Sequence, residues 1–342
     1  MLINGIDLDG LADHAPTLIE FPKMVPGRTI HIDADFLAYQ CSSEGKGEKT
    51  WDDMQHNAAV AVETLKNLGA AEFVHLHLTP KESDKGGRRD IAIQREYQGN
   101  RKDKEKPRYL ELMRDHLATA YPGTLHVNCE ADDGMSSAQY AVLAGGSGTN
   151  SIIASKDKDL RMVPGYQLDW DTGAIHCGHE DSFGALELVN GKLKGYGQIM
   201  FWGQMLTGDT ADNIQGLPKV CGKVLNTVDP TKETQKLSAI AMGPDSPKKE
   251  GAIKALAERS KACGPALAHK LLSRVTSNGQ AFQLVRALYR AYGELHGFVH
   301  WKTGDPVPWQ QVFVSEAQLL WMRREGHNRN CVINWWKEIV AK

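Results

Sequence analysis

The chain has 342 residues, of which 41% are hydrophobic and 24% are charged, a composition typical of globular proteins. This composition excludes a disordered, collagen-like or fibrous chain, and the length allows one large domain with an appendage, or two domains. The 40 Lys and Arg residues against 42 Asp and Glu residues give a net charge of −2, which on average argues against a polyanionic partner.

Neither the apolar segments nor the cysteines indicate a membrane protein or a disulfide framework. No run approaches the roughly 18 apolar residues of a spanning helix, and acidic residues interrupt the N-terminal segment where a signal peptide would be apolar. The six cysteines are far apart in the sequence and form no C-x-x-C pair, which disfavours a cysteine-rich zinc site. We therefore expect a soluble, cytoplasmic protein without a membrane partner.

Apolar strand patterns alternate with helical patterns over the first half of the chain. Thr29–Asp33 predicts the first buried strand, and residues 52–68 have helical spacing. Further strands are predicted at residues 72–78, 125–129 and 151–155, with helices over residues 107–120 and 131–143. This alternation favours an α/β fold in which a mostly parallel twisted sheet has helices on both faces.

The second half of the chain has a different pattern. Short strands are predicted beyond Asp169, and the segment from Gly197 onwards is largely helical. Residues 227–249 are rich in Pro, Lys, Thr and Ser and predict a loop. We therefore divide the chain into an α/β core at residues 1–195 and a helical region at residues 196–342.

Acidic residues follow each of the four predicted strands. They are Asp33 and Asp35, then Asp84, then Glu130, Asp132 and Asp133, and finally Asp157 and Asp159. Because the carboxyl ends of the strands form the ligand crevice of an open α/β sheet, we expect these side chains to converge. Asp209 and Asp212 would share one face if their segment is helical, and could add two ligands. Oxygen ligands without His or Cys suit Mg²⁺ or Mn²⁺ and disfavour zinc.

A structural interpretation of these acids is also available. A single Asp-x-Asp at a strand end is often a helix cap or a solvated turn, and Asp132 and Asp133 could cap the next helix. Ten clustered carboxylates, however, would repel one another strongly unless cations neutralised them. The repetition therefore favours metal binding, and we expect Asp33, Asp132, Asp157 and Asp209 to hold two divalent ions.

The charge balance changes when the ten strand-end and turn acids are set aside. The remaining 32 acidic residues face 40 basic residues, a net charge of +8. Residues 81–114 alone contain 11 Lys or Arg against 7 Asp or Glu. A basic surface around an acidic, metal-binding pocket is expected of a nuclease, although a charge run can also be a solvated face.

Several motifs follow one another in a fixed order over most of the first 225 residues. They are IDADFLAY at 32–39, DKG at 84–86, YQGNR at 97–101, EADD at 130–133, SKDKD at 155–159 and LTGDTADNIQGLP at 206–218. This order resembles the structure-specific 5′ nucleases, a family of flap endonucleases, polymerase-associated 5′-nuclease domains and bacteriophage 5′-3′ exonucleases. The phage exonucleases are the most similar in appearance.

The resemblance implies a PIN-like core, a basic arch near residues 81–114 and a helix-three-turn-helix region. It implies a metal-dependent 5′-3′ exonuclease or flap endonuclease that hydrolyses duplex DNA, flaps or RNA–DNA hybrids from the 5′ end, in phage-type replication and primer removal. Replication proteins are then candidate partners, and the location would be the host cytoplasm if the chain is phage-encoded. The implied cofactors are Mg²⁺, with Mn²⁺ as a substitute, and K⁺ in the hairpin. The implied metal ligands are Asp33, Asp84, Glu130, Asp132, Asp133, Asp157, Asp159, Asp209 and Asp212.

The resemblance also assigns roles to basic and aromatic residues. The predicted DNA-binding residues are Arg88, Arg89, Arg95 and Tyr97 in the arch, and Lys219 and Lys223 in the hairpin. Arg101 is predicted to clamp a phosphate, whereas Gln98 stands where the family usually has a lysine. If residues 95–105 form a helix, Lys102 shares the face of Gln98 and could supply the missing cation as a catalytic residue. The alternative is that Lys102 is a solvated charge.

Two other functions remain open at this stage. A haloacid dehalogenase-like phosphohydrolase also begins with a strand and Asp-x-Asp, although Phe36 and Leu37 fit that class poorly. A non-catalytic nucleic-acid-binding protein of the same fold would be expected to lack some of the acids, and all of them are present.

Two further sequence features have simpler interpretations. His176, Cys177, His179, Glu180 and Asp181 have ligand-like chemistry, but their spacing is that of a short hairpin, which disfavours a zinc site. Trp335 and Trp336 favour helix packing over base stacking.

Overall fold

The computed structural model describes residues 21–43, 49–102, 105–178 and 183–341, together with the backbone of a strand pair, β1 (Leu2–Ile3) and β2 (Ile6–Asp7). Residues 103–104 of the basic arch and residues 179–182 lie outside the described residues. The residues with ligand-like chemistry between His176 and Asp181, for which the sequence disfavours a zinc site, therefore fall partly outside them.

Six strands form the central sheet. They are β3 (Thr29–Asp33), β4 (Phe73–Leu78), β5 (Gly123–Leu125), β6 (Ser151–Ala154), β7 (Gly165–Leu168) and β8 (Ile175–Gly178). Their order is β5-β4-β3-β6-β7-β8, and every neighbouring pair from β5 to β7 is parallel, while β8 is an antiparallel edge strand. The prediction of an α/β fold with a mostly parallel sheet is confirmed.

The described residues of the first half of the chain include five α-helices. They are α1 (Ala34–Ser42), α2 (Trp51–Leu68), α3 (Arg88–Ile91), α4 (Leu110–Ala120) and α5 (Ala131–Ala144). Single 3₁₀ segments occur at Lys85–Gly87, Gly99–Arg101, Gly148–Asn150 and Lys158–Met162. Helix α2 begins at a capping box in which Thr50 and Asp53 bond each other's backbone, which explains its sharp start.

Two expectations for this half differ from the structure. A helix over residues 95–105 was the condition for the role of Lys102, but the described part of this segment forms only the 3₁₀ turn Gly99–Arg101, because Gln98 has a left-handed φ of 55° that ends any helix there. The third strand ends at Leu125 instead of residue 129, since the Val127 carbonyl accepts a hydrogen bond from Asp84 N and the chain leaves the sheet.

The second half is mainly helical. Its helices are α6 (Ile199–Thr207), α7 (Gly222–Val228), α8 (Lys232–Ala241), α9 (Pro247–Glu258), α10 (Pro265–Leu272), α11 (Asn278–His296), α12 (Trp309–Leu320) and α13 (Cys331–Ala341). Its strands form three antiparallel pairs: β9 (Ala185–Val189) with β10 (Lys192–Tyr196), β11 (Lys219–Cys221) with β12 (Ser260–Ala262), and β13 (Phe298–Val299) with β14 (Pro306–Val307).

The loop predicted at residues 227–249 is wrong, because helix α8 and the start of α9 occupy most of it. The polar residues that suggested a loop are helix starts instead. Thr231 caps α8, Ser246 caps α9, and Pro247 takes the first helical position, where a proline is favoured.

Two hydrophobic cores lie on the two sides of the sheet. One lies between the sheet and helices α1, α2 and α4. The larger one joins Met135 and Ile153 to the helical region, including α6, whose residues 199–206 are all buried. Trp321 stacks on Trp335 at 4.3 Å between ring centroids, and Trp335 and Trp336 are buried, which confirms their predicted packing role. Within the described residues, no helix combines the length and apolarity that crossing a membrane requires.

Candidate active site

Three carboxylates from three different elements meet at the carboxyl edge of the sheet. Asp33 ends β3, Asp132 lies in the first turn of α5, and Asp157 precedes the turn after β6. Asp33 accepts hydrogen bonds from Phe36 N at 3.0 Å and Ser155 Oγ at 2.8 Å, and Asp157 accepts one from Asp159 N at 2.8 Å.

None of these three acids has an ion-pair partner among the described residues. Asp132 also lacks a hydrogen-bond partner in that part of the chain. Together, Asp33, Asp132 and Asp157 are called the unpaired acids below. No ion pair among the described residues neutralises them, although the nearby charge of Lys158 acts to lower the pKa of Asp157.

The surroundings make ionisation of the unpaired acids costly. Burial, followed by the charge of Asp35, raises the pKa of Asp33 to about 7. Burial and the charges on Asp157, Glu130 and Asp33 hold the pKa of Asp132 well above its usual value. Burial also raises the pKa of Asp157. A cation bound among these side chains would relieve both the repulsion and the desolvation.

Asp133, in contrast, belongs to a buried ion pair. Arg88 donates two hydrogen bonds to it, at 2.6 and 2.9 Å, and both side chains are almost completely buried. Burial opposes ionisation of Asp133, but Arg88 outweighs it and the pKa of Asp133 is lowered. This geometry does not suit the predicted roles of either residue. Asp133 has no free oxygen for a metal, and Arg88 has no exposed face for a DNA phosphate.

Lys158 neutralises two of the predicted metal ligands. Its Nζ lies 2.7 Å from Asp159 Oδ1 and 2.8 Å from Asp209 Oδ2. Gln204 donates a further hydrogen bond to Asp159 at 2.6 Å, and Ala211 N donates one to Asp209 at 2.8 Å. Lys158 thus supplies positive charge where a second metal ion was expected. Sequence reasoning missed this role, although Lys158 lies directly between two acids in the sequence.

Asp209 and Asp212 do not share a helical face. Helix α6 ends at Thr207, and the following residues form a turn closed by paired backbone hydrogen bonds between Asp209 and Ile214. Asp212 consequently has different neighbours from Asp209. It accepts hydrogen bonds from Gln98 Nε2 at 2.9 Å and from Arg101 Nη2 at 2.6 Å. Asp209 and Asp212 therefore do not share the helical face from which both were expected to bind a metal ion.

Asp212 forms a second group of acids together with Glu130, and Tyr97 connects the two. The Tyr97 hydroxyl lies 2.7 Å from Glu130 Oε2 and 3.2 Å from Asp212 Oδ2, and the side chain is buried. Glu130 also pairs with Arg88 at 3.2 Å. Tyr97 therefore orients two carboxylates, and its burial does not suit the predicted contact with DNA.

The residues around Gln98 differ from the predicted arrangement. Lys85 Nζ donates a hydrogen bond to Gln98 Oε1 and lies 3.5 Å from Glu130 Oε1. Lys102 instead pairs with Glu96 at 2.6 Å, with 64% of its side chain exposed, as the solvated-charge interpretation expects. Asp84 is 48% exposed and pairs with Arg329 at 3.1 Å, apart from the other acids. Lys85 is thus a cation of the site that sequence reasoning did not single out.

The other predicted DNA-binding residues are accessible. The side chains of Arg89, Arg95, Lys219 and Lys223 are exposed. Lys219 begins strand β11 and Lys223 lies in the first turn of α7. Accessible cations of this kind can approach phosphates, so their assignment stays a prediction, as does the K⁺ site in the hairpin.

A line of hydrogen-bonded imidazoles crosses the sheet near this edge. His31 Nδ1 lies 2.9 Å from His77 Nε2, and His77 Nδ1 lies 2.9 Å from His126 Nε2. The line ends at Cys129 Sγ, 3.6 Å from His126 Nδ1. We call His31, His77 and His126 the histidine line. Burial lowers the pKa of His31 to about 4 and that of His77 well below its usual value, so these rings are neutral at neutral pH. His75 and His77 at alternate positions of β4, together with His31 of β3, were the sequence signal that could have revealed it.

The carboxylate site is not a preformed metal cage. In the part of the chain that the structure describes, no three His, Cys, Asp or Glu side chains are placed to hold one metal ion as they stand. The donor chemistry nevertheless suits a hard divalent cation, because the unpaired acids offer only oxygen atoms and have no ion-pair partner among the described residues.

Comparisons with known proteins give matches at the level of solved structures. No protein-family model and no curated protein matches the chain. A bacteriophage T5 protein co-crystallised with metal ions is 13% identical, with a TM-score of 0.40 over 86% of this chain and 98% of that chain. A T5 flap endonuclease in a pseudo-enzyme-product complex with DNA and metal ions is 12% identical, with a TM-score of 0.39 over 86% and 99%.

A third match is a T5 5′-exonuclease with bound zinc. It is 13% identical, with a TM-score of 0.39 over 76% of this chain and 98% of that chain. Flap endonucleases and phage 5′-exonucleases are the enzymes that the sequence motifs resemble. Because the TM-scores are low, the chemistry inferred for this protein depends on its own side chains.

Proposed function

We propose that this protein is a metal-dependent nuclease that hydrolyses phosphodiester bonds of DNA from the 5′ end. The observation that carries this proposal is the convergence of Asp33, Asp132 and Asp157 without a basic partner in the described residues. Clustered, unpaired carboxylates at the carboxyl edge of a parallel sheet are suited to binding divalent cations.

The unpaired acids would hold the ion, and Mg²⁺ is the proposed cofactor because all of the donor atoms are carboxylate oxygens. A bound divalent ion would lower the pKa of water and stabilise charge on the leaving oxygen. Asp209 is available to a further ion only where Lys158 releases it, so the four-ligand, two-ion arrangement remains part of the proposal. Ser155 and Phe36 N keep Asp33 oriented toward the site.

The exposed residues Arg89, Arg95, Lys219 and Lys223 would bind the DNA backbone, since phosphate neutralisation supplies most sequence-independent affinity. The 5′ polarity, the use of flaps or RNA–DNA hybrids, and a role in replication and primer removal are supported by the order of the sequence motifs.

The test is product-length analysis on 5′-labelled flap, duplex and RNA–DNA hybrid substrates with Mg²⁺ or with EDTA. We expect short labelled products with Mg²⁺ and none with EDTA. Preferential hydrolysis of a small phosphate monoester would instead support the phosphohydrolase alternative. Tight DNA binding without cleavage in Mg²⁺ or Mn²⁺ would support a non-catalytic binding protein.

A further inference from the structure

Backbone strain is concentrated beside Glu130 and Asp212. Among the described residues, five non-glycine positions have positive φ, and three of them, Lys85, Gln98 and Asn213, lie in the segments around these two acids. A non-glycine residue in the left-handed region costs about 1 kcal/mol or more, and such strain persists only where the surroundings fix it. The side chains of two of these strained residues, Lys85 and Gln98, bond each other.

The loop that carries Lys85 is fixed from both sides. Asp84 accepts a hydrogen bond from Gly86 N at 2.7 Å, and Arg323 Nη2 donates one to the Gly86 carbonyl at 2.8 Å. A Cβ added to Gly86 would lie 2.2 Å from Arg323 Nη1, so only glycine fits there. Arg329 holds Asp84 itself at 3.1 Å. Lys85 is therefore presented by a rigid loop and not by a flexible one.

The ammonium group of Lys85 has N–H donors that are not used in hydrogen bonds to the described residues. Among the described residues, it makes one hydrogen bond, to Gln98, and one long ion pair, 3.5 Å from Glu130, although an ammonium has three N–H donors. Glu130 does not depend on it, because Arg88 and Tyr97 already bond that carboxylate at 3.2 and 2.7 Å.

The other described cations of the site are committed to carboxylates at shorter distances. Arg88 makes two hydrogen bonds to Asp133, at 2.6 and 2.9 Å. Lys158 bridges two acids at 2.7 and 2.8 Å, and Arg101 bonds Asp212 at 2.6 Å. Lys85 is therefore the cation of this group that can bind an anion at the smallest cost.

We propose that Lys85 is a catalytic residue that binds the scissile phosphate, with Gln98 holding its ammonium in place. This inference rests on the proposed nuclease function. During hydrolysis the P–O bond to water forms while the P–O bond to the leaving oxygen breaks, and the phosphate oxygens gain negative charge. Lys85 stabilises that charge and neither gains nor loses a proton. A positioned cation stabilises the transition state more than the ground state and so raises the rate of the chemical step.

The test uses Lys85→Met, which removes the charge and keeps the aliphatic stem. The matched control is Lys66→Met on α2, because Lys66 also makes a long ion pair, 3.6 Å from Glu63, and lies beside Thr29 and Phe73 at the amino-terminal ends of β3 and β4, the end opposite the site. Single-turnover cleavage of a 5′-labelled duplex at saturating Mg²⁺ should slow by at least about 10²-fold for Lys85→Met. Binding of the same duplex in Ca²⁺ and the thermal midpoint should change little, and Lys66→Met should behave as wild type in all three assays.

A rescue experiment separates catalysis from a structural role. Since Gln98 Oε1 lies within hydrogen-bonding distance of Lys85 Nζ, an ammonium placed by Gln98→Lys reaches the same region, and the double variant should recover much of the lost rate. A wild-type rate in Lys85→Met would overturn this inference and leave the nuclease proposal intact. Slow cleavage by Lys85→Met that Gln98→Lys does not rescue, together with a lower thermal midpoint, would also overturn the inference, because Lys85 would then have a structural role. Absence of cleavage by the wild type in every divalent metal would overturn both proposals.

Discussion

The unpaired acids should make the metal-free protein less stable than a variant that lacks one of their charges. Asp132 is the strongest case, because burial and the charges on Asp157, Glu130 and Asp33 raise its pKa well above 3.8, and no described cation offsets them. Asp132→Asn keeps the shape of the side chain and removes its charge. We therefore expect this variant to unfold at a higher temperature than wild type in EDTA.

The size of the effect follows from linkage between protonation and folding. Each pKa unit by which folding raises an acid's pKa lowers the free energy of unfolding by about 1.4 kcal/mol at a pH where the acid is ionised in both states. One unit alone, with an unfolding entropy of about 2 cal/mol/K per residue over 342 residues, corresponds to about 2 °C in the thermal midpoint. The penalty is fully present above the folded pKa of Asp132. It disappears as the pH falls to the unfolded value near 3.8, so the advantage of the variant should shrink in acid.

The assay is thermal unfolding followed by circular dichroism, with and without Mg²⁺. A ligand that binds only the folded state raises its stability, so Mg²⁺ should raise the midpoint of wild type and should have little effect on Asp132→Asn. Asp115→Asn is the control, because Asp115 is exposed on α4 and should leave both midpoints unchanged. An Asp132→Asn midpoint equal to or below that of wild type in EDTA would refute the electrostatic reasoning.

Three further predictions concern other parts of the molecule. Changing Lys219 and Lys223 together to Ala should reduce the slope of log K against log salt for DNA binding in Ca²⁺ by about 2, and an unchanged slope would exclude these residues from the interface. Arg88→Met should destabilise the fold by about 3–5 kcal/mol in urea unfolding, because it leaves Asp133 buried without a partner; a loss below 1 kcal/mol, on the order of a surface ion pair, would contradict this. His31 and His77 of the histidine line should stay uncharged well below pH 6.5, so their contribution to stability is complete above that value and decreases as the pH falls, toward about 4 for His31. NMR titration should give His31 a pKa well below 6.5, and a normal value would contradict this prediction.

The sequence predicted the elements whose signals are local. Thr29–Asp33 is an apolar run that ends in an acid, and its predicted bounds agree with the structure. Helix α5 differs from its predicted bounds by one residue, because the acids that begin it and Gly145 that ends it are standard helix signals. The prediction of a loop at residues 227–249 was wrong for a related reason. Ser, Thr and Pro mark helix starts as well as loops, and composition alone does not distinguish the two.

The set of acids could be predicted, but not the partner of each one. Asp132 and Asp133 are neighbours in the sequence, yet one has no described partner and the other is buried against Arg88, 45 residues earlier in the chain. Which carboxylate a basic residue reaches depends on tertiary packing, for which the local sequence carries no signal. The left-handed backbone conformation of Lys85 and Gln98 could not be predicted either, because neither residue type favours positive φ.

The central claim, that the unpaired acids hold a divalent ion needed for cleavage, is tested most directly with Asp157→Asn. The measurement is single-turnover cleavage of a 5′-labelled duplex at saturating Mg²⁺, with binding of the same duplex measured in Ca²⁺. The account predicts a rate at least about 10²-fold below wild type, the scale of losing one preorganised charge interaction, with binding preserved. Near-normal turnover of Asp157→Asn in Mg²⁺ would contradict it.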